Sequence, residues 1–351
     1  MSQTKSKAAQ LKKEVAPYEK TDLKRSVLQL INTIIPLFAL WYAAYASLEV
    51  SYWLTLPLAI VAAGFLVRTF IIFHDCCHGS FFKNRRANDI VGTLTGILTV
   101  VPYQQWKHTH SVHHATSGNL DKRGVGDMWV MTVKEFAAAS FWRRLAYRLY
   151  RNPLVMFGLG PAFTFLIEYR FNRKDARWKE RINTYVTNAG IAGLYALLCW
   201  AVGWEAFLLV QGPVFLVSGL IGVWLFYVQH NFEDSYFEHE DEWSYVQAAV
   251  EGSSFYKLPK PLQWITGNIG YHHVHHLSPK VPNYYLEQAH EATPPLQRAT
   301  TIGLRDSLRS LRFRLWDEER NRFVGYGEAR RLASACRRSG APAVRPDLQR
   351  E

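Results

Sequence analysis

The chain has 351 residues, of which 48% are hydrophobic, and a formal net charge of +12. The basic residues cluster beside long apolar stretches, which suits anionic lipid headgroups and excludes a nucleic-acid-binding function. Four cysteines (Cys76, Cys77, Cys199 and Cys336) show no paired C-x-x-C spacing, so we expect reduced thiols and neither a disulfide framework nor a cysteine metal site.

Residues 1–25 are polar and lysine-rich, without the apolar core or the cleavage site of a secretory signal peptide. We interpret them as a cytosolic arm. Four apolar segments follow, at about 26–48, 50–73, 182–204 and 206–229. At about 1.5 Å per residue, each is long enough to cross a bilayer as a helix. Arg68 interrupts the second segment, and we expect its side chain to extend towards the nearer interface.

The distribution of lysine and arginine predicts the orientation. The arm carries seven of them and residues 170–181 carry six, whereas the links around Glu49 and Glu205 carry none. By the positive-inside rule, both chain ends are cytosolic and the four spans form two hairpins. Residues 74–181 and 230–303 then form a cytosolic cap. Two short apolar runs in the cap, 90–106 and 153–167, are predicted to be interfacial or re-entrant helices.

The segment 304–351 is predicted to be a basic amphipathic helix followed by a tail. Leu304, Leu308, Leu311 and Leu315 share one helical face, with arginines around them. Such a helix could bind anionic headgroups, or could equally be a solvated helix packed on the cap. The last dozen residues, rich in Arg, Ala and Pro, are expected to be disordered.

Ten of the thirteen histidines fall into three tight groups. The groups are His74 and His78; His108, His110, His113 and His114; and His272, His273, His275 and His276. Spacings of three and four residues place side chains on one face of a helix. The first group ends the second span, and His230 ends the fourth, so all of them are expected on the cytosolic side.

Clustered imidazoles repel one another when protonated, so this density indicates a metal that keeps them neutral. Eight or nine ligands exceed one coordination sphere, which implies two metals. Imidazole binds iron, copper, nickel and zinc, and the ligand type alone does not choose among them.

The motif H-D-C-C-H-G-S-F-F from His74, the H-x-x-H-H motif at His110 and the stretch from Gly252 to Leu277 closely resemble the acyl-lipid branch of the membrane fatty-acid desaturases. The resemblance covers nearly the whole chain after the arm. It implies an all-α integral membrane fold of four transmembrane helices with a cytosolic helical cap holding a di-iron site. It also implies two iron ions, O2 as co-substrate, and an external ferredoxin or cytochrome as electron donor.

Transfer of the family's ligands by motif position gives nine histidines. One iron is assigned His74, His114, His230, His272 and His276, and the other is assigned His78, His110, His113 and His275. Phe226 stands where the acyl-CoA branch has an asparagine that holds a metal-bound water, and Asn231 or Asn268 could substitute for it.

Three further residues are expected to support the ligands, namely Asp75, His108 and His273. His239 and His290 are interpreted as lying outside the site. The resulting hypothesis is an oxygen-dependent desaturase that introduces a cis double bond into a membrane lipid acyl chain. A hydroxylase or ketolase of acyl chains, alkanes or carotenoids on the same scaffold is the alternative. A metal transporter is disfavoured because the histidines lie at the ends of the spans and not at mid-membrane.

Overall fold

The computed structural model describes residues 2–331, with side chains from residue 9 onward. Cys336 and the tail expected to be disordered lie outside the described residues. Four helices are long and apolar enough to cross a membrane: α2 (Leu23–Ser47), α3 (Tyr52–His78), α9 (Trp178–Val202) and α10 (Trp204–His230). They confirm the four predicted spans, with bounds shifted by a few residues. The α9–α10 connection turns at Gly203, whose φ of 85° suits a residue without a Cβ.

The remaining elements are shorter and build the cap. The other helices are α1 (Ser2–Val15), α4 (Arg85–Leu98), α5 (Tyr103–Thr116), α6 (Val133–Ala138), α7 (Phe141–Tyr150), α8 (Gly160–Leu166), α11 (Tyr245–Val250), α12 (Lys260–Ile265), α13 (His272–Leu277) and α14 (Leu286–Ala292). A π-helical turn at Val155–Leu159 precedes α8, and short 3-10 helices span Ala16–Tyr18, Glu168–Arg170, Asn283–Tyr285, Pro294–Arg298 and Asp306–Arg312.

Two small sheets, which the all-α prediction did not include, complete the cap. β1 (Phe255–Lys257) pairs in parallel with β2 (Thr301–Gly303), and β3 (Leu315–Asp317) pairs antiparallel with β4 (Arg322–Val324). Each strand has three residues, so the protein remains predominantly helical.

Helix α3 is the centre of the membrane bundle. Its small residues Ala59, Ala62 and Ala63 are fully buried against Leu37 and Ala44 of α2. Small side chains let two helices approach closely, which is the usual basis of packing where lipid removes the hydrophobic driving force. The last turns of α3 leave this contact and carry His74 and His78 into the cap.

The side chain of Arg68 of α3 is buried among partners within the protein, and its extension towards an interface stays a prediction. Only 5% of the residue is exposed, and its Nε donates to Thr33 Oγ1 at 3.0 Å. Its Nη1 donates to the carbonyl of Trp264, and the guanidinium lies 3.9 Å from the centre of that indole ring. Local partners therefore satisfy this charge, as buried charges require.

The arm packs on the cap, because Val15 at the end of α1 lies in a buried cluster with Leu277 and Leu286. At the other end, the leucine pattern does not form one long helix. The 3-10 helix ends at Arg312, and Leu315 is a fully buried residue of β3, whereas Leu308 remains 60% exposed. Pairing of β3 with β4 buries Leu315 and so overrides the helical periodicity.

Candidate metal centre

The first two histidines lie one turn apart near the end of α3, with ring centres 4.8 Å from each other. Nδ1 of His74 donates to Asp75 Oδ1 at 3.3 Å. The other oxygen of Asp75 accepts bonds of 2.7 and 2.8 Å from the backbone and side chain of Asn283. Gln29 of α2 in turn donates to Asn283 at 3.0 Å. A buried polar chain thus orients His74, as predicted for Asp75.

The second set lies on α5. His110, His113 and His114 are buried, and Nδ1 of His113 donates to Asp127 at 2.5 Å. Asp127 reaches α5 because Gly126 has a φ of 75° and packs so closely that a Cβ there would lie 2.7 Å from the Thr109 carbonyl. The loop after α5 therefore needs glycine at this position to bring its carboxylate to the histidine.

The third set lies on α13, facing the end of α10. His272, His275 and His276 are each no more than 3% exposed. His230 ends α10, and its Nδ1 donates to the Gly252 carbonyl at 3.2 Å, which turns Nε2 towards α13. Nε2 of His230 and Nε2 of His272 are 2.9 Å apart.

The nine predicted histidines come together in two groups. The five-histidine group contains His74, His78, His110, His114 and His275, and the four-histidine group contains His113, His230, His272 and His276. Within each group, the candidate ligand atoms all lie within 4.8 Å of one another. This differs from the ligand sets transferred by resemblance: His74 and His114 join His78, whereas His113 joins His230.

Helix geometry explains this division. Residues four apart on an α-helix differ by about 40° in direction, while adjacent residues differ by about 100°. Pairs separated by four therefore stay in one group: His110 with His114 on α5, and His272 with His276 on α13. The third histidine of each helix, His113 or His275, faces the other group. Each of these helices thus serves both groups.

The nitrogen positions fit metal ions. Nε2 of His114 lies 3.1 Å from Nε2 of His110 and 3.0 Å from Nε2 of His275. One proton on a ring nitrogen cannot bridge to two others, but metal–nitrogen bonds of about 2.0–2.1 Å place neighbouring donors about 3 Å apart. Nε2 of His78, His113 and His276 is buried without a hydrogen-bond partner in the described chain, which a metal would supply.

The electrostatics favour neutral imidazoles. Burial, reinforced by neighbouring imidazoles, lowers the pKa well below the usual value for His110, His114, His272, His275 and His276. Neutral imidazole is the form that binds metals. The residues present therefore fit two metal ions.

Of four further residues predicted to support the ligands, Asn231 lines the cavity beside His113 and His230, and the other three contact residues outside the two groups. His108 is on the outer face of α5, 3.3 Å from Arg177. His273 turns away from its neighbours to contact His290 at 2.9 Å. Asn231 accepts a 2.5 Å bond from Arg151 and donates to the Ser310 carbonyl, so it ties α10 to the C-terminal segment. Asn268 donates to the Asn283 carbonyl at 3.3 Å. No contact with a grouped histidine is recorded for Asn231 or Asn268.

Sequence reasoning missed Asp127 and Asn283. The glycines at 124 and 126, just after the second histidine group, are the signal that could have indicated a tight loop returning to α5. No comparable pattern marks Asn283, which meets Asp75 from 208 residues away in the chain.

An apolar cavity adjoins the four-histidine group. Phe226 stacks near both His113 and His230, with ring centres 5.1 and 5.2 Å away. Met128, Val130 and Phe237 continue its wall. Arg123, Asp127 and Asn231 also line it, and its volume is about 30 Å³, well below that of small-ligand sites, so the cavity in this state limits bulk water beside the imidazoles but does not itself hold an acyl chain.

The sequence of the chain is similar to those of several known proteins. A sequence model of the fatty acid desaturase family matches residues 51–305. A fatty acid desaturase of Bacillus subtilis strain 168 is 66% identical over 320 residues, which cover 91% of each chain. The chloroplastic omega-6 fatty acid desaturase of Arabidopsis thaliana is 31% identical over 80% of this chain and 61% of its own. The sn-1 oleoyl-lipid 12-desaturase of Synechocystis is 27% identical over 68% of each chain.

Proposed function

This chain belongs to the fatty acid desaturase family, and we propose that it introduces a cis double bond into a membrane lipid acyl chain at a site formed by its nine grouped histidines. The family makes it a lipid-modifying oxidoreductase of the membrane, and its named relatives include a desaturase of acyl lipids. The observation that carries the proposed site is the convergence of nine imidazoles into two groups beside an apolar cavity.

We infer that each group holds one iron. The five-histidine group offers five nitrogens and the four-histidine group offers four, which leaves open positions in octahedral coordination. Oxygen activation at such a pair supplies an oxidant able to remove hydrogen from an unactivated methylene, which no acid, base or nucleophile of the chain can do. One O2 would be reduced to two water molecules, with two hydrogens from the acyl chain, two electrons from an external ferredoxin or cytochrome, and two protons from the solvent.

The protein's own part is orientation and exclusion of water. The Asp75–Asn283–Gln29 chain fixes His74, Asp127 fixes His113, and the Gly252 carbonyl fixes the tautomer of His230. Phe226 lies against His113 and His230 and, with Met128, Val130 and Phe237, would exclude water from the four-histidine group. Access of only one segment of the acyl chain to the site would define the position of the double bond.

The charge distribution supports a cytosolic site. The seven basic residues of the arm and the six of residues 170–181 lie on the side where α3 and α10 end in histidines. We propose that both chain ends face the cytosol and that residues 26–303 form the desaturase unit. Residues 9–25 and 304–331 are peripheral parts packed on it.

Lipid analysis tests the function. The protein is expressed in a host with a compatible electron donor, and a variant lacking His110 and His272 serves as the inactive control. We expect mass spectrometry to show acyl chains lighter by two hydrogens at one defined position. Predominant gain of one oxygen atom would instead indicate a hydroxylase. Unchanged acyl chains together with altered carotenoids or alkanes would assign the enzyme a different substrate.

A further inference from the structure

A second groove lies beside Tyr271, the residue before α13, and shares no lining residue with the cavity beside the four-histidine group. It has a volume of about 320 Å³, close to the lower limit of small-ligand sites. One wall comes from β1 and α12, and the other comes from α14. Tyr271 forms part of the floor and immediately precedes His272, so the groove approaches the metal centre without sharing its ligands.

The groove opens at the boundary between membrane and cap. The end of α12 packs on α3 well below the histidines: the rings of Trp264 and Phe65 are 6.0 Å apart. Phe65 precedes His74 by nine residues, or about 14 Å of helix. Leu262 and Trp264 are 42% and 43% exposed, as expected for side chains that face lipid. The opposite wall, α14, packs on the N-terminal arm, where Val15 shares a buried cluster with Leu286 and Ala289.

One polar side chain in the groove needs a partner. Gln263 lines the groove and is 4% exposed, and neither atom of its amide has a hydrogen-bond partner in the described chain. A buried amide without partners is costly, so it points to a ligand that both donates and accepts hydrogen bonds. Tyr271 cannot donate a hydrogen bond to Gln263, because its hydroxyl already donates to Glu287 at 3.1 Å.

The charges at the groove are balanced and separated. Lys260 and Glu287 neutralise each other in a direct ion pair. Lys257 on β1 and Glu291 on α14 are both exposed and make no ion pair within the described residues. The groove therefore offers one free positive and one free negative charge on opposite walls.

We propose that this groove binds the zwitterionic headgroup of the acyl-lipid substrate, a phosphoethanolamine group. Its phosphate would lie at Lys257 and accept from Nε2 of Gln263, and its ammonium group would donate to Glu291 and to Oε1 of Gln263. A choline group lacks N–H donors for Glu291, and an anionic headgroup leaves Glu291 unpaired. A soluble electron donor fits less well, because the exposed side chains beside the groove are lipid-facing.

This inference rests on the proposed function, and the test separates the two. Wild type, Lys257→Glu, Glu291→Lys and the double charge swap are expressed in a host whose membrane contains phosphatidylethanolamine and phosphatidylglycerol. Lys83→Glu is the matched control, because Lys83 is equally exposed and lies outside the groove. The desaturated fraction is measured for each headgroup. Purified full-length protein is also titrated with short-chain forms of both lipids and of phosphatidylcholine, with thermal stability as the readout.

We expect wild type to favour phosphatidylethanolamine in both measurements. Each single reversal should reduce that preference by about threefold, the scale of one exposed charge contact, and the double swap should recover part of it. Equal use of all headgroups, a preference for phosphatidylglycerol, or an equal effect of Lys83→Glu would overturn the headgroup inference while desaturation persists. Selective thermal stabilisation without any desaturated product would support the groove and contradict the proposed function.

Discussion

Oδ1 of Asp127 accepts a 2.5 Å hydrogen bond from Nδ1 of His113, across fourteen residues of chain. The bond fixes the tautomer of His113, so that its unprotonated Nε2 points into the four-histidine group, where it has no other partner in the described chain. Carboxylates in this position raise the basicity of a ligating imidazole and restrict its rotation. The finding would make Asp127 a positioning residue for a metal held by the four-histidine group.

Asp127→Asn should therefore weaken metal binding at the four-histidine group by about 10–100-fold, because the amide is a weaker acceptor and carries no charge. Metal retained per chain is measured against a graded series of chelator concentrations. Asp121→Asn is the control, since Asp121 bonds only the exposed His239 and backbone outside the site. Identical chelator curves for Asp127→Asn and wild type would show that this bond does not support the metal.

The division of ligands predicts which variants lose the same metal. His113→Ala and His272→Ala should each lower the metal content of the four-histidine group. Their combination should still retain about one metal per chain. His113→Ala combined with His110→Ala should lose both metals, because these residues belong to different groups. Metal analysis and iron spectroscopy on the purified variants provide the measurement. Retention of one metal in the His110/His113 variant would restore the ligand sets transferred by resemblance.

The spans and eight of the nine candidate ligands could be predicted from the sequence because they depend on local periodicity, whereas His230 was assigned by resemblance. An uncharged run of more than twenty residues is a span, and histidines three or four apart share a face. The assignment of His74, His113 and His114 failed where resemblance replaced geometry, since the four-residue rule alone pairs His74 with His78 and His110 with His114. Asp127 and Asn283 depend on loop paths and distant contacts, which local patterns do not encode.

His230→Ala should abolish product formation, although His230 lies outside the three histidine motifs. It contributes one of four nitrogens to its group, and its Nδ1 is held by the Gly252 carbonyl. His239→Ala is the comparison, because that side chain is exposed and bonds only Asp121 and Glu318. Product per amount of inserted protein is measured for both variants. Normal activity of His230→Ala, or loss of activity in His239→Ala, would contradict the assignment.

The His239–Asp121 pair should make stability depend on pH. Hydrogen bonding to Asp121 raises the pKa of His239, and hydrogen bonds from the Glu240 backbone and His239 lower the pKa of Asp121. The pair therefore stabilises fully between the ordinary pKa values of 3.8 and 6.5, and the contribution disappears as pH rises through the raised pKa of His239. His239→Gln should lower the free energy of unfolding at pH 6 by no more than about 1 kcal/mol, because the pair is exposed, and should leave it unchanged at pH 9. The melting temperature at the two pH values provides the measurement. A loss of equal size at both pH values would exclude the titration.

Arg68 predicts a stability effect far from the metals. Arg68→Met keeps an apolar stem but removes the bond to Thr33, the bond to the Trp264 carbonyl and the contact with the indole ring. The Trp264 carbonyl keeps its 3.0 Å bond from the Gly267 backbone, so the cost is the loss of hydrogen bonds from a charged group, each worth about 1.5–3 kcal/mol, together with the lost contact of the charge with the ring. Because Trp264 belongs to α12, the loss should loosen α12 from α3. We expect a lower melting temperature and faster hydrogen exchange across residues 260–271.

Two further variants make the Arg68 result interpretable. Thr33→Val removes one bond only and should cost less than Arg68→Met, while Arg86→Met makes the same chemical change at an exposed position and should stay within about 0.5 kcal/mol of wild type. Arg68→Lys keeps the charge, but lacks the planar group that donates in two directions and stacks on the indole, so it should recover only part of the stability. If Arg68→Met were as stable as wild type, with unchanged exchange at α12, the guanidinium would not hold this helix. An apolar side chain would then fill the same space at no cost, as has been found for other buried charges replaced by well-packed residues.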